Sequence, residues 1–168
     1  MLYKIRLLLA PLFVFFLFAA PVKAQDIMDF EEFMGMMSET LTESQLDELS
    51  YKLPWEIKVL GYGYGDFSGD GLDDFVISIR EKDETPKKSV DVYFFQNLED
   101  KSYKLVKKKN YKYVELPIEV AFLVKEGKCF VTSKDSDYWY FTGYQITEGK
   151  LKQIAKEQYP IEFENAGE

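Results

Sequence analysis

Asp66, Ser68, Asp70 and Asp74 stand at positions 1, 3, 5 and 9 of an acidic loop, and Gly71 stands at position 6. Carboxylate and hydroxyl oxygens at this spacing are ligands for a hard cation, and Ca²⁺ fits best. In this reading Asp66 and Asp70 each give a carboxylate, Ser68 gives its hydroxyl directly or through water, and Asp74 closes the site. Leu72 contributes its backbone carbonyl, because its side chain has nothing to ligate with. Gly71 permits the sharp bend around the ion, and Asp73 either faces outward or supports the ligands from behind. The loop differs from an EF-hand, which needs a bidentate Glu at position 12. That position is Ile77, inside an apolar alternating run. The alternative is a tight Asp-Gly turn with no metal, since Asp and Gly form turns for reasons of their own. Carboxylates crowded into so short a segment repel one another, and a divalent cation relieves that repulsion.

Other chemistries are excluded by composition. The 168 residues contain no His and one Cys, Cys129. Ser-His-Asp and Cys-His catalysis within the chain are therefore ruled out, as are His- or thiolate-ligated zinc sites. Cys129 has no partner for an internal disulfide and reads as a small buried hydrophobe. The formal net charge is −8, which disfavours nucleic acid as a partner. Glu115, Glu119, Asp135 and Asp137 are available for carboxylate chemistry, but their spacing sets no pair at a glycosidase separation.

The elements that must position the loop follow from periodicity. Residues 1–24 read as a signal peptide: Lys4 and Arg6, an apolar run from Leu7 to Ala20, and a small-residue cleavage site ending at Ala24. The apolar run is short for a membrane span, so no stable span is expected after cleavage. Cleavage would remove three positive charges and make the chain more acidic still. Residues 25–54 form an N-terminal helical segment over Ile27 to Leu53, with Thr42-Glu43-Ser44-Gln45 as a capping box that opens a second short helix, about Glu43 to Tyr51, and Pro54 as its stop. Residues 55–158 are expected to form a β domain that contains the 66–74 calcium loop. Phe75, Ile77 and Ile79 alternate onto one face. Lys125-Glu126-Gly127-Lys128 and Thr147-Glu148-Gly149-Lys150 are hairpin signals. Lys107, Lys108, Lys109 and Lys112 read as the guard of an edge strand, and residues 159–168 as a fraying acidic tail. The fold class is mainly β: an antiparallel meander forming a curved sheet or small sandwich, with a short N-terminal helical segment.

The strand-loop-strand form resembles the calcium loops of FG-GAP and VCBS-type repeats, whose consensus is Asp-x-Asn-x-Asp-Gly-x-x-Asp. Gly65 to Phe75 carry the match, with Ser68 where Asn or Asp is commoner. The wider chain is similar to small secreted bacterial proteins with a single such loop. Phe94-Phe95-Gln96-Asn97, Tyr103-Lys104-Leu105-Val106 and Tyr138-Trp139-Tyr140-Phe141 follow their order of strands. The resemblance implies calcium binding and a β fold, and no enzyme activity. A propeller needs several copies of the repeat, and only one full copy is present.

The function expected is a secreted or periplasmic calcium-binding β module, its ion structural, that binds a protein or glycan partner. Two alternatives stand beside it. One is a carboxylate-dependent hydrolase; the other is a structural or inhibitory subunit of an envelope complex. In the run from Tyr138 to Phe141, strand alternation puts Trp139 and Phe141 on one face and Tyr138 and Tyr140 on the other, so at most one pair is free to stack on a sugar ring.

Overall fold

A computed structural model describes residues 27–81, 89–112, 120–134 and 137–160. The expected signal peptide, residues 161–168 of the expected tail, and Glu115, Glu119 and Asp135 lie outside these ranges. Among the described residues there are two short helices and nine strands in two antiparallel sheets. The first sheet holds β1 (Met28–Asp29), β2 (Ile57–Gly65), β3 (Asp74–Glu81), β4 (Ser89–Asn97) and β5 (Tyr103–Lys112), in that spatial order. The second holds β6 (Ala121–Lys125), β7 (Lys128–Lys134), β8 (Tyr138–Thr147) and β9 (Lys150–Pro160), again in sequence order. The fold is thus mainly β, a meander folded into an open sandwich. β9 runs to Pro160, so the first two residues of the expected tail are strand.

The helical segment is divided at the expected capping box, but it starts later than expected: Met28 and Asp29, read as helix, pair with Val59 and Lys58 as strand β1, and the first helix begins at Phe30. α1 (Phe30–Met37) buries Phe30, Phe33 and Met37 along one stripe, and α2 (Glu43–Lys52) buries Leu49. The capping box before α2 is complete: the Thr42 hydroxyl accepts from the Gln45 N–H at 3.3 Å, and the Gln45 side chain accepts from the Thr42 N–H at 2.9 Å. A helix begins where such a cap satisfies its first free N–H groups, so the break between α1 and α2 falls just ahead of Thr42.

The first sheet is covered on both faces. Helices α1 and α2 lie on the face carrying Ile57, Val59, Phe75, Ile77, Ile79, Tyr93 and Phe95, and the second sheet lies on the face carrying Val76, Val90, Val92 and Phe94. Every residue of β3 from Asp74 to Ile79 is buried as a result. One irregularity keeps β2 in step with both layers. The pairing jumps from Val59 opposite Ile79 to Gly61 opposite Ser78, so Leu60 is a bulge. An extra residue exchanges the faces of everything beyond it, and Val59 and Tyr62 therefore both reach the helical layer.

Beyond the bulge, the two sheets close together at the corner between β2 and β6. A Cβ added at Gly63 would lie 3.1 Å from Phe122 Cβ, and one at Gly65 would lie 2.7 Å from Val124 Cγ1. Side chains at these positions would hold β6 away from β2, and Gly65 also has φ +149°. The β6–β7 and β8–β9 connections are two-residue turns, Glu126-Gly127 and Glu148-Gly149, with positive φ at both residues, as tight hairpins favour.

Candidate functional site

The acidic loop joins β2 to β3 at the rim where the two sheets meet. Each of its carboxylates has a separate task. Asp66 Oδ1 accepts from the Gly69 N–H at 2.6 Å, and its Oδ2 accepts from the Gly71 N–H at 2.9 Å. The Ser68 hydroxyl lies 3.4 Å from Asp66 Oδ1. Asp66 therefore organises the turn around its own side chain, with Gly71 at φ +84°. Asp70 is exposed; it accepts from the Leu72 N–H at 3.0 Å and from Gln96 Nε2 on β4 at 3.4 Å. Leu72 is half-buried and Asp73 exposed, the latter facing outward, one of the placements expected of it.

Asp74 differs from the others. It has no solvent exposure. Its Oδ2 accepts from the Phe67 N–H at 3.0 Å and its Oδ1 from the Asn97 N–H at 2.9 Å. Burial pushes its pKa up to about 6, against the opposing pull of these two bonds and of a hydrogen bond from Ser68; the nearby charge of Asp70 adds to the upward push. Desolvation outweighs hydrogen bonding here, so the fold favours the neutral carboxyl.

The structure thus brings Asp66, Ser68, Asp70 and Asp74 into one loop, with the Ser68 hydroxyl against Asp66. Much of their bonding capacity goes to backbone N–H groups. Among the described residues, no group of three or more His, Cys, Asp or Glu side chains is disposed to hold a metal ion. The donor set remains chemically suited to a hard cation, being all oxygen, and an ionised carboxylate offers roughly four lone-pair sites. A further oxygen lies at the same junction. Asn97 donates its Nδ2 to the Asp73 carbonyl at 3.1 Å, while its Oδ1 is buried with no hydrogen-bond partner among the described residues.

Three residues that matter here escape a motif reading. Phe67 is fully buried in the layer between the sheets, and its carbonyl accepts from the Ile146 N–H on β8 at 2.9 Å. Gln96 and Asn97, at the end of β4, tie the loop to the next strand. A large aromatic in an otherwise polar turn was the available signal for Phe67. Nothing in the spacing of Gln96 and Asn97 marks them as partners of a loop more than twenty residues earlier.

A second polar group lies deeper between the sheets. The Tyr144 hydroxyl receives hydrogen bonds from Lys109 Nζ at 2.9 Å and from the Tyr111 hydroxyl at 2.7 Å. Of the lysines expected to guard the edge strand, Lys107 and Lys108 are exposed, whereas Lys109 turns toward the second sheet. Burial among these neighbours raises the Tyr111 phenol far above its ordinary value. Cys129 is fully buried beside them, its thiol pushed up to about 12 by burial. At that value the thiolate, the reactive form, is scarce near neutral pH.

On β8, Tyr138 and Tyr140 share a face, their ring centroids 6.3 Å apart, and Phe141 meets Tyr159 edge-on at 5.5 Å. No helix among the described residues is long and apolar enough to cross a membrane. No protein-family model, curated protein or solved structure matches the chain.

Proposed function

We propose that the chain is an exported, non-catalytic β module that binds calcium through the Asp66–Asp74 loop, the ion serving a structural role, and that it presents its surface to a protein or glycan partner. The observation that carries this reading is the gathering of Asp66, Ser68, Asp70 and Asp74 in one short loop, with the Ser68 hydroxyl 3.4 Å from Asp66 Oδ1 and Asp74 buried at its base. A cation held by Asp66, Ser68, Asp70, Asp74 and the Leu72 carbonyl would offset the mutual repulsion of the carboxylates and favour ionised Asp74. The match of Gly65 to Phe75 with the FG-GAP and VCBS-type calcium loops supports the same reading from sequence. Export rests on the sequence pattern of residues 1–24, and the environment is the periplasm or the medium beyond it. A partner surface is supported by aromatic side chains left in solvent on the helical side, Tyr51 and Trp55, 79% and 69% exposed.

Calorimetric titration of residues 25–168 with Ca²⁺, beside Asp70→Ala, tests the metal. Binding weaker than micromolar, on the order of 0.1–1 mM as in extracellular modules, is expected for the parent and lost in the variant. Identical melting temperatures in calcium and in chelator, for both proteins, would end the proposal.

A further inference from the structure

The loop does more than join β2 to β3. Phe67 reaches the second sheet twice, by a side chain buried in the layer shared with Tyr144 and Ile146 and by a carbonyl bonded to the Ile146 N–H. Its own N–H is held by Asp74, which also holds the Asn97 N–H. A continuous hydrogen-bonded line thus runs from β4 through Asp74 and Phe67 to β8. The root of the loop adds a steric contact, because Gly65 admits Val124 of β6 where any Cβ would collide. The loop therefore touches the second sheet at both β6 and β8.

We infer that the Asp66–Asp74 loop is a latch between the sheets: while it is ordered the second sheet stays seated on the first, and its release opens the layer between them without opening the layer under the helices. Parts of a protein can open with free energies below that of global unfolding. The bonds of Lys109 and Tyr111 to Tyr144 also cross the boundary between the sheets, but they belong to β5 and β8. Phe67 and Asp74 form a hydrogen-bonded crossing of that boundary made by the loop itself. A calcium ion bound as proposed above would tighten the latch; that extension alone rests on the proposed function.

Cys129 supplies the reporter, since it is the sole cysteine and is buried in the inter-sheet layer. The experiment is maleimide labelling of the protein under native conditions, with each variant's rate corrected for its measured global stability. Phe67→Ala is compared with Leu49→Ala, which weakens the helical layer instead. The corrected rate for Phe67→Ala is expected to exceed that for Leu49→Ala by about tenfold or more. Equal corrected rates would overturn the latch. Phe67→Leu, which keeps most of the buried bulk, provides the same comparison if Phe67→Ala does not fold. Calcium in millimolar excess is expected to slow labelling of the parent. Calcium that binds by calorimetry without slowing it overturns the extension; absence of binding overturns the proposed function and leaves the Phe67 comparison to decide the latch.

Discussion

The two apolar layers of this protein are closed by different means. Under the helices, rings pack on rings. Phe75 lies 6.3 Å from Phe33, 6.2 Å from Tyr62, 6.5 Å from Phe95 and 5.6 Å from Tyr103. Between the sheets, apolar packing is interrupted by polar atoms: the Phe67 carbonyl, the Asp74 carboxylate, the Tyr111–Tyr144–Lys109 group and a buried thiol. Dispersion and hydrophobic burial are non-directional, so the first layer tolerates repacking. Hydrogen bonds in a low-dielectric interior are directional and costly to leave unmade, so the second layer restricts how the sheets can sit.

The largest effect is expected in the ring layer. Phe75→Ala should cost about 4 kcal/mol in urea denaturation, the usual loss for a buried aromatic with its cavity. A loss below about 1 kcal/mol would mean the helices are not a stabilising cover.

Next comes acid. The Asp74 pKa is raised in the fold from 3.8 to about 6, so the folded state favours its protonated form. The corresponding stability is fully present below the unfolded value near 3.8, is lost as pH climbs toward about 6, and is absent above it. In chelator, the stability of the parent minus that of Asp74→Asn should fall by up to about 3 kcal/mol from pH 3.5 to pH 7. A difference that rises over this range would show that its hydrogen bonds outweigh its burial.

Gly65→Ala should cost about 2 kcal/mol through positive φ and contact with Val124. Adding Val124→Ala should lessen the interaction part of that cost, and strict additivity would deny that the corner depends on close approach. Thr42→Ala should cost about 1 kcal/mol by removing the cap of α2, measured as lost stability with the stability-corrected labelling rate of Cys129 unchanged. The smallest effect belongs to the Lys108–Asp91 ion pair. It is short, at 2.8 Å, but the lysine side chain is half exposed. Asp91→Ala should therefore change stability by no more than about 0.5 kcal/mol, and less in high salt.

Much of the first layer was legible in the sequence. Phe75, Ile77 and Ile79 alternate, and the structure puts all three under the helices. The Thr42–Gln45 spacing named a cap that is present, and the two Glu-Gly turns named hairpins that are present. These are local patterns, set by residues a few positions apart. The candidate site was legible only as a loop, its metal remaining a proposal. The loop pattern located Asp66, Ser68, Asp70, Leu72 and Asp74, but it treated the three carboxylates alike. Only one of them is fully buried, and that depends on which residues lie above and beside β3.

By itself, then, the sequence determined where strands alternate, where the second helix begins and where the acidic turn falls, because backbone sterics, caps and hydrophobic periodicity act over a few residues. Tertiary structure alone decided that β3 is buried on both faces, that Lys109 turns inward to Tyr144, and that Phe67 fastens one sheet to the other. Those outcomes depend on contacts between segments far apart in the chain, and their energies exist only after the sheets have come together.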